Sequence, residues 1–239
     1  MNWRTDSDYA FCDQLDAAGW AWQFLRREPD YRSDYAWFID LWNQLETAYG
    51  APPQRDFFKW KQDPRAWRDE SEMADCNREI CPGENNQVLI ECWMGAKWGL
   101  RKFPIDPALN LPDELVWRDA PIQVVPFETS RNIDLQLPQN SLALIFDLSL
   151  PLPAQLEDAK KQIVAARHQC AITGNLPPRN VREGAPLWRL WLRLLDALDN
   201  ETTLSTISEI LALDNPERDT IAAKTMCRSG YRRILMLEP

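Results

Sequence analysis

The segment from Pro186 to Leu198 constrains the fold of this chain more than any other. Read at 3.6 residues per turn, Arg189, Arg193 and Asp196 make one narrow polar stripe, spaced four and three apart. Leu187, Trp188, Leu190, Trp191, Leu194, Leu195 and Leu198 take the remaining faces. A helix that is apolar around most of its circumference needs cover on more than one side, from the central sheet or from another subunit. Pro186 fits the first turn of such a helix, where its missing N–H leaves no bond unmade.

Beyond this helix the chain has the rhythm of a helix-turn-helix. Asp199 to Thr202 turns the chain, and Thr203 is placed to cap a second helix through Leu213. Leu204, Ile207, Ile210 and Leu211 form its inner face. A second turn ends at Asn215, an N-cap type, before Pro216 as first residue of a third helix that runs to about Arg228 or Ser229. Lys224 and Arg228 lie one turn apart on that helix, while Ala222, Ala223, Met226 and Cys227 face away. Gly230 either stops the helix, leaving Tyr231-Arg232-Arg233 as an arm, or lets it continue so that Arg232 extends the stripe.

Lys224, Arg228, Arg232 and Arg233 form a cluster without a carboxylate, on a chain of formal net charge −9. Local positive charge on an acidic protein points to a polyanion such as DNA. In this frame the four cations neutralise phosphates, and Arg218 and Thr220, nearer the helix start, face base edges. Glu217 and Asp219 at that same start oppose phosphate.

The rest of the chain predicts an α+β fold. Tyr9, Phe11, Cys12, Leu15 and Ala18 recur at helical spacing until Gly19 breaks the run. Asp30 to Ser33 separates the next helix from one faced by Tyr35, Phe38, Ile39, Trp42 and Leu45, which ends at Tyr49-Gly50 before paired prolines. Residues 54–87 read as loop with short helix, anchored by Trp60 and Trp67. Val88–Trp93, Ile122–Phe127, Ile133–Leu137 and the apolar run Leu142–Leu150 are candidate strands of a small, mostly antiparallel central sheet. Pro153–Ile172 is a helix with Leu156, Ile163, Val164 and Ala166 on its apolar side. The organisation expected is a regulator-like and α+β region over 1–174, a linker over 175–185, and a helical, helix-turn-helix-like DNA-binding domain over 186–239.

Composition excludes several functions. The 12 tryptophans invite a sugar-binding reading, but Trp20, Trp22, Trp37 and Trp42 stand among other apolar residues as core does. An enzyme needs a nucleophile–base pair, a phosphate loop or a metal set. The chain has one histidine, His168, and neither a glycine-rich phosphate loop nor a Gly-x-Ser-x-Gly turn. Its six cysteines are too unevenly spaced for a paired zinc site and read as reduced thiols. No catalysis, cofactor or metal is expected. No apolar run approaches the ~20 residues of a membrane span, and the polar N-terminus lacks the core of a signal peptide, so a cytoplasmic place is expected.

The run from Asp13 to Arg27 (DQLDAAGWAWQFLRR), with Pro29-Asp30-Tyr31-Arg32, resembles the N-terminal signature of a proteobacterial family of transcriptional-regulator-like proteins, the RovC type. Trp98-Gly99-Leu100, Phe103-Pro104 and Asp106-Pro107 are similar to its middle motif. Trp188 to Leu198 and Gly230-Tyr231-Arg232-Arg233 are similar to its DNA-binding end. The resemblance implies a regulator of transcription that binds double-stranded promoter DNA, an activator of type VI secretion genes and so of virulence. It also implies a homo-oligomer, with a hexamer as one candidate. Relatives carry a capping-box Glu where this chain has Thr206, and more arginine and a tryptophan in the third helix. The competing class is a non-enzymatic cytoplasmic adaptor or assembly protein without DNA affinity.

Overall fold

Asp16 sets the first α-helix, α1 (Ala17–Leu25): its carboxylate accepts the Gly19 N–H at 2.7 Å, satisfying a first-turn donor that no carbonyl can reach. Gly19, expected to break the helix, therefore lies inside it. The break falls earlier, where Leu15 and Asp16 take extended backbone between a 3-10 helix (Asp6–Gln14) and α1. Helix α2 (Pro29–Tyr49) opens with Pro29, so the separator expected at Asp30–Ser33 is helical too. Gly50 ends α2 at φ +83°, a conformation that strains residues bearing a Cβ.

In this computed structural model the described residues are 1–69, 87–113, 115–118, 142–172, 178 and 180–237. They are mostly helical, with a small antiparallel sheet, as an α+β fold requires. A short helix α3 (Phe57–Trp60) and a 3-10 turn (Pro64–Ala66) lead to β1 (Trp67–Asp69). This strand pairs with β2 (Gln87–Leu89) in the register Trp67 to Leu89 and Asp69 to Gln87. The strand expected over Val88–Trp93 is cut short, because Ile90 opens helix α4 (Ile90–Lys97). Helical geometry buries Ile90, Glu91, Met94 and Gly95 together, which a period of two cannot do. Gly95 is held by a close approach: a Cβ there would stand 2.2 Å from the Lys102 carbonyl oxygen.

The candidate strands at Ile122–Phe127 and Ile133–Leu137 lie outside the described residues. The run Leu142–Leu150 is described, and it forms no strand. Asp147 turns the chain by accepting the Ser149 N–H and hydroxyl, and Ile145 and Leu148 are more than four-fifths exposed. The helix expected after it is present as α5 (Leu152–Ile172), with Leu156, Ile163 and Val164 exposed. Cys92 is disulfide-bonded, which corrects the reading of every cysteine as a thiol; Cys12, Cys170 and Cys227 are outside any disulfide.

The chain divides into two compact units, Met1–Pro121 with Asn180–Pro239, and Ile122–Arg179. Within the first unit the C-terminal helices share a core with the N-terminal ones. Helix α6 (Val181–Asp199) starts a full turn before Pro186, capped by Asn180, whose side chain accepts the Glu183 N–H at 2.9 Å. Pro186 is thus internal, leaving the Arg182 carbonyl without its helical donor. Helix α7 (Leu204–Leu211) stops short of Leu213 because Ala212 adopts a left-handed conformation, φ 52° and ψ 51°. Helix α8 (Pro216–Thr225) passes through a π-helical turn (Met226–Gly230) into α9 (Tyr231–Ile234) without leaving helical backbone at Gly230.

Two apolar clusters hold this unit. Trp20, Trp22, Phe24, Tyr31, Ile90, Trp98, Trp188, Cys227 and Tyr231 belong to the larger one, joining α1, α2, α4, α6 and the C-terminal helix. Trp3, Leu194, Ala197, Ile207, Leu211, Leu213 and Ala223 make the second, under α6, α7 and α8. The middle segment is strapped across α1 by side chains of the N-terminal run. Trp22 Nε1 donates to the Leu109 carbonyl (3.1 Å), Arg26 Nε to Pro107 (2.9 Å), and the Tyr31 hydroxyl to Ile105 (2.6 Å).

Candidate nucleic-acid interface

The polar stripe of α6 does not face water. Arg189 pairs with Asp6 and Asp13, each at 2.9 Å, and Arg193 donates to the Trp3 carbonyl (2.9 Å) and to Asp6 (3.0 Å). Asp196 accepts two bonds from Arg27, at 2.6 and 2.9 Å, and one from the Tyr9 hydroxyl at 2.5 Å. Burial alone would raise the Asp196 pKa, yet the Arg27 guanidinium and the Tyr9 hydroxyl hold it below the ordinary carboxylate value. Burial, with Asp196 adding to it, drives the Tyr9 hydroxyl pKa well up, so the phenol stays a donor. Helix α6 is thus covered on most of its apolar surface by core and on its polar stripe by the first 27 residues, with Leu187 left exposed.

On this platform α6, α7 and α8 form a three-helix unit in which Leu194, Ala197, Ile207, Leu211, Leu213 and Ala223 interlock. Asn215 caps α8, its side chain accepting the Arg218 N–H at 3.0 Å. Ala223 and Cys227 face inward, which turns Glu217, Arg218, Ile221, Lys224, Thr225 and Arg228 to solvent. The Arg218, Lys224 and Arg228 side chains have no hydrogen-bond or ion-pair partner among the described residues. Thr220 is half-buried, and its hydroxyl donates back to the Pro216 carbonyl at 2.7 Å.

Lys224 and Arg228 come together with a third positive element that the helical period does not show. They line an open groove of about 590 Å³ with Arg27, from the link between α1 and α2, and Arg32, from the first turn of α2. Arg27 and Arg32 are matched by Asp196 and Asp199 in the same groove. Glu28, also in its wall, has its pKa raised by burial and by Asp30, against the opposing pull of Arg228.

Arg232 does not join this surface. The π turn adds residues per turn and rotates the helix beyond it, so Arg232 swings towards α4. There its Nη2 donates to the Lys97 carbonyl at 2.7 Å. Arg233 is exposed on α9. Asp219 accepts from Trp191 Nε1 at 3.3 Å, which ties it to α6 and leaves Glu217 as the exposed acid at the head of α8. The acceptor that Trp191 finds and the direction Arg232 takes both depend on contacts between helices, which periodicity within one helix does not carry.

Residues 2–56 match the family model of a proteobacterial transcriptional regulator-like domain. No curated protein and no solved structure matches the chain. The N-terminal segment, a minority of the chain, is therefore transcriptional-regulator-like, and a regulatory class is what it supports. It is also the segment that supplies Tyr9, Asp6, Asp13 and Arg27 to the stripe of α6. Among the described residues no helix is long and apolar enough to cross a membrane.

Proposed function

We propose that the protein is a non-enzymatic, DNA-binding transcriptional regulator that docks the outer face of α8 on double-stranded promoter DNA. The observation that carries this reading is the row Arg218, Lys224 and Arg228, unpaired among the described residues on the exposed side of a capped third helix. Cations so placed neutralise phosphates, and Ile221, two-thirds exposed between them, offers an apolar contact to a thymine methyl. Arg233 reaches phosphate farther along, whereas Arg232 and Thr220 serve through the positions they hold. Homo-oligomeric assembly multiplies a modest basic face into a useful one. The regulator-like match at 2–56 supports regulation, and the resemblance to the RovC type supports activation of type VI secretion genes in the cytoplasm.

The test is fluorescence anisotropy with duplexes spanning type VI secretion promoters, against a non-specific duplex of equal length. Binding that falls steeply with salt, with a log–log slope of about −0.9 per phosphate contact, is expected. Lys224→Glu with Arg228→Glu should lower affinity at least about tenfold without changing helicity or assembly mass. Full affinity in that folded variant removes the proposed surface. A parent protein with no salt-dependent binding returns the adaptor reading.

A further inference from the structure

Arg32 stands where two grooves of the first compact unit meet. The larger, of about 590 Å³, holds Lys224 and Arg228 of the α8 face; a smaller one, of about 280 Å³, continues past Arg32 to Arg26 and Asn200. Arg27, Arg32, Asp196 and Asp199 line both, so the two grooves form one trough. Five cationic side chains line this trough against three carboxylates, on a chain whose formal net charge is −9. A concave surface with that local excess draws anions.

Within the trough Arg32 is held in place with donors to spare. Its Nε donates to the Arg26 carbonyl at 3.0 Å, and its Nη1 to the two Asp199 oxygens at 3.3 and 3.1 Å. Its Nη2 has no acceptor among the described residues and is accessible, the side chain being 40% exposed. Asp199 is 63% exposed, and an ion pair that open leaves most of the guanidinium charge available to another partner. Asp196, by contrast, is committed to Arg27 and Tyr9. A guanidinium anchored at two points and open at the third is prepared for a fixed acceptor, with little ordering left to be done on binding. Lys224 and Arg228, likewise uncommitted, share the larger groove with it, so an anion with charges repeated along its length meets all three.

We infer that the trough seats a stretch of DNA sugar–phosphate backbone beside the one met by α8, with Arg32 Nη2 donating to a phosphate oxygen. The inference rests on the DNA-binding reading and extends it: the regulator-like segment then touches DNA itself, besides bracing α6. A phosphate contact of this kind fixes position on the duplex and strengthens binding to every sequence alike. Asp199 steadies Arg32 but also stands against the phosphate, so its charge lowers affinity.

The experiment measures duplex affinity of the full chain across a salt series for the parent, Arg32→Ala, Asp199→Asn and Lys59→Ala. Lys59 is an exposed cation that lines neither groove, so its variant controls for net charge. Circular dichroism and thermal melts report folding. Arg32→Ala is expected to weaken a promoter duplex and a non-specific duplex alike, by about fivefold, and to make the log–log salt slope shallower by about 0.9, one phosphate contact. Asp199→Asn, which keeps an acceptor for Arg32, is expected to tighten binding about two- to threefold at low salt. A parental slope in folded Arg32→Ala, or a loss no larger than that of Lys59→Ala, overturns the assignment. Should Arg32→Ala not fold, Asp199→Asn decides: tighter binding supports the contact, and unchanged or weaker binding overturns it. A parent without salt-dependent binding overturns the DNA reading and this contact with it. A parent that loses affinity with Lys224→Glu and Arg228→Glu, but not with Arg32→Ala, overturns this inference alone.

Discussion

Arg27 and Asp196 stand 169 residues apart in the chain and meet in a two-pronged ion pair, Nε to Oδ1 at 2.6 Å and Nη2 to Oδ2 at 2.9 Å. Arg27 also donates to the Gln23 carbonyl and side chain, so the guanidinium is fixed to α1 before it reaches α6. Side-chain exposure is 6% for Arg27 and 18% for Asp196, low enough for the pair to matter. It is the polar clasp between the regulator-like segment and α6, the helix against which α8 packs.

Breaking one side of this clasp strands the other charge. Arg27→Met is expected to destabilise the fold by about 3 kcal/mol, while adding Asp196→Leu recovers part of the loss, since a buried pair replaced whole costs less than a pair broken. Urea unfolding of the singles and the double measures the coupling. The pair also sets an acid limit. The Asp196 pKa is lower in the fold than in the unfolded chain, so its contribution is complete above the ordinary carboxylate value of about 4. That contribution drains away as pH falls towards the folded value. Asp196→Asn should flatten this part of the stability profile below about pH 4.

Glu91 works in the opposite sense. It is buried at the head of α4, its Oε2 has no partner among the described residues, and burial raises its pKa, with Lys102 and Arg55 opposing. A carboxyl raised in the fold favours folding below the unfolded pKa and loses that advantage as pH climbs to the folded value. Glu91→Gln should therefore gain stability relative to the parent as pH rises from about 4 towards neutrality. A parallel pair of stability profiles would refute this.

Arg55 is sandwiched between Trp60 and Trp42, 3.9 and 4.6 Å from the ring centres, and donates to Glu46 at 2.9 Å. A lysine keeps the charge but loses the planar stack. Arg55→Lys is expected to cost about 1–2 kcal/mol, a fall in Tm of about 2–8 °C for a chain of this size. Calorimetry reads it, and the change should also alter the fluorescence of Trp42 and Trp60.

Burial pushes the thiol pKa of Cys12 and of Cys227 up to about 12. At neutral pH neither supplies appreciable thiolate, the reactive form. Half-buried Cys170 should be alkylated by iodoacetamide in the native protein at least about tenfold faster than either of these two. Peptide mass spectrometry after timed quenching separates them.

Glu217 is the exposed acid at the head of α8, while Asp219 is tied to Trp191. If α8 meets phosphate, Glu217→Gln should tighten DNA binding by about two- to fivefold at low salt, with the gain fading as salt rises. Asp219→Asn should instead act mainly on stability, through α6.

Much of the helical framework was legible from local pattern. Asn215 and Pro216 announce a helix start because capping and proline geometry involve only neighbouring residues. Gly50 likewise ends α2 for a local reason, its positive φ. Local pattern misleads where local and tertiary demands diverge. Gly19 is a weak helix former, yet Asp16 caps its N–H and the core closes over it. Ile90 continues an apolar run suited to a strand, but helical spacing is what buries Glu91 and Met94 with it. Leu142–Leu150 is apolar enough for a core strand, yet Ile145 and Leu148 within it stand in solvent.

The candidate interface divides the same way. By itself the sequence determined that Asn215 and Pro216 open a third helix and that Lys224 and Arg228 lie one turn apart along it, because capping and the 3.6-residue period are local. Only the tertiary structure decided that Arg232 turns to the Lys97 carbonyl, that Asp219 belongs to Trp191, and that the stripe of α6 closes on Asp6, Asp13 and Arg27 rather than on water. Periodicity says which residues share a face. What meets that face depends on chain brought in from elsewhere, 28 residues away for Trp191 and Asp219 and 135 or more for the others, and no local rule of spacing carries that information.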